Sequence, residues 1–137
     1  MPSQRIRCIA GGLLIATSSN VPMMVHAGRK ATIATPTRCV WRTEREFADW
    51  VTIRWQESGP FLTVSNLDET RVVLRDQVQV RRQHWKIIPY PEHSSSVIIS
   101  RVTGFALTAG SSAEVLQWPV ALAAYHGGTT QHWSLAN

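Results

Sequence analysis

The sequence repeats one pattern three times. Each copy opens on a strand-like segment, continues through a turn and a pair of apolar residues, and closes on a tryptophan. The closing residues Trp41, Trp85 and Trp133 are spaced 44 and 48 residues apart. A period of this size is typical of a unit that buries its apolar face only against its copies. The chain of 137 residues is therefore predicted to form one domain, 1–137, with repeats at approximately 1–48, 49–94 and 95–137.

The segments with a clear pattern are short and have the two-residue alternation of β-strands. Ile53 and Trp55 alternate with Arg54, and Val72–Leu74 forms a short apolar run. Turn residues separate these segments, and no longer stretch keeps a helical period. Four short strands per copy would expose hydrogen-bonding edges, which closure of three copies into a barrel removes. The predicted fold class is therefore all-β, with three pseudo-equivalent four-stranded repeats.

The first residues allow two interpretations. A basic start, the apolar run Cys8–Ala16 and the segment Val25-His26-Ala27 have the order of a secretory signal. The same stretch also aligns with the second copy, where Ile6 matches Ile53. Cleavage after Ala27 would remove half of the first copy and its strands. The repeat interpretation is favoured, and with it a cytoplasmic rather than a secreted localisation.

Composition and charge restrict the function classes. A hydrophobic fraction of 44% and a charged fraction of 17% exclude a disordered chain. The net charge of +5 is spread along the sequence without a nucleic-acid-binding pattern, so nucleic acid is not an expected partner. No apolar run reaches the length of a membrane span.

The titratable residues do not form a catalytic or metal-binding pattern. The five histidines are not spaced as zinc ligands, and His84 and His132 are expected to be exposed. There is no nucleophile elbow and no pair of carboxylates at a defined separation. No catalytic residue, metal or cofactor is therefore predicted, and the protein is not expected to be an enzyme. Cys8 and Cys39 could form a disulfide, although two reduced thiols are favoured.

The residues around the closing tryptophans carry a family resemblance. Gln83-His84-Trp85 and Gln131-His132-Trp133 are Gln-x-Trp motifs, and Cys39-Val40-Trp41 is a degenerate third copy. Together with a glycine and an apolar pair near the start of each copy, they resemble the ricin B-type β-trefoil family, particularly its small fungal members. The resemblance covers nearly the whole chain. The residues of the motif are expected to be structural, because Trp fills the core and the Gln amide ties a loop to a strand; they are Trp41, Gln83, Trp85, Gln131 and Trp133.

The resemblance implies carbohydrate binding without catalysis. In that family an aromatic ring stacks on a sugar, while an Asp near the second strand and an Asn before the Gln bind its hydroxyls. In the third copy these positions fall on Trp118, Thr108 and Thr130. The corresponding positions of the first two copies are His26 and Arg75 for the ring, Ile15 and Thr63 for the acid, and Arg38 and Arg82 for the amide. Because charge-assisted hydrogen bonds are about twice as strong as neutral ones, the missing carboxylate predicts weak binding at each site.

The third copy is the best candidate for a sugar site. Trp118 next to Pro119 would form the platform, with Tyr125 and His126 as a second ring and a polar tip. Neutral hydrogen bonds would replace the lost acid. The predicted ligand-binding residues are Trp118, Thr108, Thr130, Gln131, Tyr125 and His126, and the expected partners are glycans or glycoproteins. The alternative interpretation of Trp118 is a core residue packed at a strand edge.

Two further functions stay open. β-Trefoil peptidase inhibitors resemble this chain in size, in the Trp-Lys-Ile-Ile-Pro segment Trp85–Pro89 and in the absent acid. Such a protein inhibits a protease through a surface loop, for which Pro89–Glu92 or Arg29–Pro36 would serve. An exposed stiff loop would favour inhibition, and a concave pocket at Trp118 would favour sugar binding. The other option is an interaction module whose sugar sites have decayed.

Overall fold

The computed structural model describes residues 3–17, 20–25, 40–56, 59–76, 81–110 and 117–136. Twelve strands lie within these ranges, four in each repeat, together with short 3₁₀ turns at Arg81–Gln83, Pro91–His93 and Thr129–Gln131. The strands are β1 (Ser3–Cys8), β2 (Leu13–Ile15), β3 (Met23–Val25), β4 (Trp41–Phe47), β5 (Trp50–Trp55), β6 (Phe61–Val64), β7 (Val72–Arg75), β8 (Trp85–Tyr90), β9 (Ser95–Ser100), β10 (Ala106–Ala109), β11 (Gln117–Ala123) and β12 (Trp133–Ala136).

Six of the strands close into a barrel. Around the ring, β1 pairs with β4, β4 with β5, β5 with β8, β8 with β9, β9 with β12, and β12 with β1 again, all antiparallel. Closure gives each of these strands two neighbours and leaves no open edge in the ring. The first and fourth strands of every repeat are the ones that build it.

The second and third strands of each repeat form a hairpin beside the barrel. These hairpins are β2–β3, β6–β7 and β10–β11. Each is joined to the first strand of its own repeat, through β1–β2, β5–β6 and β9–β10. A six-stranded barrel with three such hairpins is a β-trefoil, and the predicted all-β class with three four-stranded repeats is confirmed.

The three closing tryptophans occupy equivalent places, as the repeat pattern predicts. Each is fully buried, and each indole Nε1 donates a hydrogen bond to a leucine carbonyl in the second strand of its own repeat. The pairs are Trp41 with Leu14 at 2.9 Å, Trp85 with Leu62 at 3.0 Å, and Trp133 with Leu107 at 2.9 Å. Burial of the large ring and satisfaction of its one polar atom together fix each repeat to the common core.

Two of the repeats add a buried glutamine to this arrangement. Gln83 Nε2 donates to Thr63 Oγ1 at 3.2 Å and to a backbone carbonyl at 2.9 Å. Gln131 Nε2 makes the same pair of bonds, to Thr108 Oγ1 at 3.0 Å and to a backbone carbonyl at 3.0 Å. In the first repeat Ile15 stands in place of the threonine, and Cys39 lies outside the described residues.

The hairpins meet at three junctions between repeats, which we call the 1/2, 2/3 and 3/1 junctions. At each junction, a residue in the third strand of one repeat contacts a residue of the preceding repeat. The contacted residue always lies four positions before the equivalent third-strand residue of its own repeat. The contacts are Leu74 N to Asn20 O at 2.8 Å (1/2), Leu122 N to Thr70 O at 2.9 Å (2/3), and the strand pairing of Trp118 with Met24 (3/1). Asn20, Thr70 and Trp118 are therefore structurally equivalent.

The amino-terminal segment forms strands of the first repeat over its described residues. β1 completes the barrel, and Ile6 is fully buried in the core. Cys8 is a buried free thiol whose Sγ lies 3.5 Å from Thr129 O, and desolvation raises its pKa. Among the residues described, no helix is long and apolar enough to span a membrane.

Candidate functional site

Trp118 is a core residue of the 3/1 junction, so its predicted role as a sugar platform is wrong. Only 3% of its surface is exposed. Its ring packs so closely over Gly12 that a Cβ built on that glycine would lie 2.7 Å from Trp118 Cζ2 and 3.1 Å from Met24 Cε. Since a sugar stacks only on an accessible ring face, this side chain has none to offer.

The strand register explains the error. In the second hairpin Phe61 pairs with Arg75, and in the third hairpin the equivalent pair is Ala106 with Ala123. The position assigned to the stacking ring at Arg75 therefore corresponds to Ala123 and not to Trp118. In the first hairpin it corresponds to Val25, while His26 lies outside the described residues. None of the three equivalent positions carries an aromatic ring.

Thr108 and Gln131 were predicted to contact sugar, but their polar atoms are engaged inside the fold. The Gln131 side chain is fully buried, and its Oε1 accepts a hydrogen bond from His126 N at 2.8 Å. Thr108 Oγ1 donates to Ala106 O at 2.9 Å while it accepts from Gln131. These residues hold the loop before β12 in place. Gln131 is therefore inaccessible to a ligand, and the hydroxyl proton of Thr108 is committed to the fold.

Tyr125 is the large aromatic residue that the third repeat presents to solvent. It is 41% exposed, and its hydroxyl lies 2.8 Å from His132 Nε2. The ring of Tyr90, from the end of β8, lies 6.1 Å away between centroids. Desolvation, followed by the hydrogen bond and the charge interaction with Tyr90, raises the pKa of Tyr125, so its phenol is neutral at pH 7. We call Tyr90 and Tyr125 the tyrosine platform.

His132 supports this platform from below. It is buried, contrary to the expectation from sequence, and its Nδ1 lies 3.0 Å from Ser95 Oγ. Its ring also meets Tyr90 edge-on at a centroid distance of 5.1 Å. With contacts to both tyrosines and to a serine, the imidazole fixes the orientation of the platform.

The remaining predicted residues lie beside the platform on the loop before β12. His126 is exposed, and its Nδ1 accepts a hydrogen bond from Gly128 N at 3.0 Å. Thr130 is partly exposed in the 3₁₀ turn that follows. Of the six predicted ligand-binding residues, the structure thus brings Tyr125, His126 and Thr130 to one surface and uses the other three for packing or loop support.

A second concave surface was missed by sequence reasoning. A cavity of about 620 Å³ lies at the 1/2 junction, and we call it the 1/2 groove. Its described lining is Asn20, Val21, Pro60, Val73, Leu74, Arg75 and Asp76. The one available signal was the charged pair Arg75-Asp76, which stands where the third repeat has Ala123-Ala124.

The segment Pro89–Glu92, the first candidate for an inhibitory loop, spans the end of β8 and the start of the following 3₁₀ turn. Pro89, Pro91 and Glu92 are exposed, whereas the ring of Tyr90 contacts His132 and Tyr125. The other suggested loop, Arg29–Pro36, lies outside the described residues, as do Arg38 and Cys39.

Comparison with known proteins supports the fold. No protein-family model and no curated protein sequence matches the chain. Among solved structures, the designed threefold symmetric protein ThreeFoil is 16% identical with a TM-score of 0.82 and covers 98% of both chains. A Polyporus squamosus lectin bound to the human-type influenza-binding epitope Neu5Aca2-6Galb1-4GlcNAc is 18% identical with a TM-score of 0.75, over 97% of this chain and 48% of that one. SeviL bound to asialo-GM1 saccharide is 15% identical with a TM-score of 0.73, over 97% and 94% of the two chains. At these identities the similarity establishes the β-trefoil fold alone.

Proposed function

We propose that the protein is a non-catalytic carbohydrate-binding module in which a saccharide stacks on Tyr125 of the third repeat. The observation that carries this proposal is the exposed Tyr125 ring, held in place by His132 and flanked by Tyr90. Aromatic rings present a broad apolar face to the C–H groups of a sugar, while a phenol at the edge supplies a polar contact. Similarity of fold to two lectins with bound saccharides agrees with this function.

The polar groups beside the platform determine the expected affinity. His126 and Thr130 offer neutral hydrogen bonds, and none of the predicted ligand-binding residues is a carboxylate. Without a charged acceptor, a single site is expected to bind near millimolar, or about −4 kcal/mol. Useful affinity for glycans or glycoproteins then requires several sites or clustered ligands.

A glycan array followed by variants of Tyr125 tests this function. Tyr125→Ala removes the ring and is expected to abolish binding. Tyr125→Phe keeps the ring and loses only the hydroxyl with its hydrogen bonds to His132 and Tyr90, so most of the binding should remain. Near-ultraviolet circular dichroism of both variants controls for folding. Unchanged binding by a folded Tyr125→Ala protein would exclude this platform as the sugar site.

The β8–β9 turn favours a second candidate, a peptidase inhibitor. Ile88 near the end of β8 is 37% exposed, Pro89 and Pro91 restrict the backbone at the end of β8 and the start of the turn, and the ring of Tyr90 contacts His132. An exposed segment with a restricted backbone loses little conformational entropy when it enters a protease cleft. Titration of purified peptidases from several mechanistic classes tests this candidate, with Ile88→Asp in β8 and Glu92→Lys in the turn as variants. Inhibition that is lost in these variants and kept in Tyr125→Phe would favour it over the lectin-like function.

A further inference from the structure

Cationic and aromatic side chains form a cluster where the second and third repeats meet on the barrel wall. The Lys86 Nζ atom lies 4.6 Å from the centroid of the Trp50 ring, and the Arg101 Cζ atom lies 5.6 Å from the same centroid. Arg101 Nη1 also lies 2.8 Å from His84 Nδ1. All four residues are partly exposed, so the cluster is open to solvent. We call these four residues the Trp50 cluster.

The strand register places the ring and the ammonium group on the outer face of the barrel. Val51 of β5 pairs with Trp85 of β8, and the Trp85 side chain is fully buried in the core. Because successive side chains of a strand point to opposite faces, the residues next to this pair point outward. Trp50 and Lys86 are those residues, and they lie side by side on two neighbouring strands.

The contact between Arg101 and His84 determines which imidazole nitrogen carries the proton. A guanidinium has only donors, so His84 Nδ1 accepts a hydrogen bond from Arg101 Nη1 and the ring proton lies on Nε2. Desolvation and the charge of Arg101 lower the pKa of His84, while the charge of Glu46 acts in the opposite direction. A neutral imidazole with an Nε2–H donor therefore lies beside the guanidinium.

The charges of the cluster do not cancel. Lys86 and Arg101 both lie near the same indole ring, so their charges repel each other. The ring attracts each cation through its negative face, but it carries no net charge of its own. Within the described part of the chain, no ion pair includes Lys86. Glu46 of β4 is the exposed acid whose charge reaches His84. Two cations and one acid leave an excess of positive charge.

The other two repeats do not carry this set of side chains. Each repeat makes the same backbone hydrogen bond at this place, and the bonds run from Arg101 N to His84 O, from Gln56 N to Val40 O and from Ile9 N to His132 O. By their places relative to the closing tryptophan, the residues equivalent to Trp50 and Lys86 are Ser3 and Arg42 in the first repeat and Ser95 and Ser134 in the third. Neither set combines an aromatic ring with two cations. The fold therefore does not require the cluster.

We propose that the Trp50 cluster binds the phosphate monoester group of a ligand. Lys86 and Arg101 supply charge-assisted donors to its oxygens, and the Nε2–H of His84 supplies a neutral one. A phosphate monoester carries close to two negative charges at neutral pH, so it offsets the repulsion between the two cations. A phosphate diester carries one charge and does so less well. This inference is independent of the proposed function, because neither Tyr125 nor a saccharide takes part in it.

Fluorine NMR of protein labelled with 5-fluorotryptophan tests this site. The Trp50 resonance is assigned with Trp50→Phe and followed during titration with methyl phosphate at about pH 7.5, with the ionic strength held constant by sodium chloride. A saturable shift of the Trp50 resonance is expected. Dimethyl phosphate should bind about fivefold more weakly or less, because it carries only one charge. Equal affinity for the two esters would overturn the assignment to a monoester.

Charge variants test which side chains hold the anion. Lys86→Gln and Arg101→Gln each remove one cation and should each weaken the affinity about fivefold or more. Glu46→Gln removes the opposing charge and should strengthen the affinity about twofold or more. Arg7→Gln is the matched control, because it removes an exposed cation from β1, which lies opposite β8 in the six-stranded ring. Unchanged resonances of the other tryptophans control for folding.

The pattern across these variants decides between a site and general charge attraction. Weaker binding by the two cluster variants, together with unchanged binding by Arg7→Gln, supports the inference. Equal losses in Lys86→Gln and Arg7→Gln would overturn it, since attraction to net charge would explain them. The absence of a saturable Trp50 shift with methyl phosphate would also overturn it. None of these results depends on whether Tyr125→Ala loses glycan binding, so the two proposals fail separately.

Discussion

The 1/2 and 3/1 junctions join equivalent positions of neighbouring repeats, but a side chain fills one of them and the other is open. At the 3/1 junction an indole fills the space between the hairpins, and only 3% of Trp118 remains exposed. At the 1/2 junction the equivalent residue is Asn20, and a cavity of about 620 Å³ remains open. The barrel and its three closing tryptophans are therefore common to all the repeats, whereas the junctions between repeats differ: one is packed and another is concave.

A glycine makes the packed version possible. Gly12 has a φ of +102°, and a Cβ there would collide with Trp118 Cζ2. Its equivalent at the open junction is Pro60, which lines the groove. The pair of Gly12 and Trp118 thus forms one packing unit, although the two residues lie at opposite ends of the chain.

The largest expected effect comes from emptying the packed junction. Trp118→Ala should destabilise the protein by about 3–5 kcal/mol, because it removes a buried indole and leaves a void. Val21→Ala at the open junction, where the side chain is 37% exposed, should change stability by only about 0.5 kcal/mol. Urea denaturation of both variants measures the difference. Equal stability losses would show that the two junctions are packed alike.

A smaller effect is expected from crowding the same junction. Gly11 and Gly12 both have positive φ, at +122° and +102°, but only a Cβ at Gly12 meets the indole. Alanine at either position strains the backbone, and at Gly12 it should cost about 1–3 kcal/mol more from overpacking. In the Trp118→Ala background most of this excess should disappear, because Met24 Cε is then the close atom that remains. A double-mutant cycle from denaturation curves gives the coupling, and a coupling near zero would contradict the packing unit.

The sequence predicted the fold better than the site, because the fold depends on a repeated local pattern and the site depends on strand register. Trp41, Trp85 and Trp133 recur at regular spacing and perform the same task in each repeat, so the pattern alone predicted three equivalent four-stranded repeats closed into a barrel. The position of Trp118 depends instead on cross-strand register. Trp118 lies 15 residues before its closing tryptophan, whereas Arg75 lies 10 residues before its own. Because the loop before the closing tryptophan varies in length, the sequence alone did not show that these two positions differ.

The local sequence pattern also did not predict which residues of different repeats contact one another. The walls of the 1/2 groove come from residues around 20 and around 75, and neither segment has a motif of its own. His132 sits inside a recognised Gln-x-Trp motif, yet its burial depends on Ser95 and Tyr125, which the motif does not include. Such sites arise from non-local packing that no local pattern encodes.

Substitutions at Asn20 test the backbone conformation of the open junction, which differs from that of the packed junction. Asn20 has a left-handed φ of 62°, and Trp118 is not among the residues with positive φ. Asn20→Ala should cost about 1–2 kcal/mol, since an alanine Cβ disfavours this conformation. Asn20→Gly removes the side chain without that strain and should be close to neutral. Thermal denaturation of the two variants checks the order, and a glycine variant less stable than the alanine variant would contradict it.

The smallest expected effect concerns the charged side chain of the open junction. Asp76 is exposed, and Gln83 Nε2 donates a hydrogen bond to its backbone carbonyl, which an alanine in this position also has. Asp76→Ala should therefore change the free energy of unfolding by no more than about 0.5 kcal/mol. A carboxylate that stabilises the fold would instead show a clear stability loss in urea denaturation. A near-zero change would show that the open 1/2 junction does not depend on this side chain for stability, whereas the packed 3/1 junction depends on Trp118.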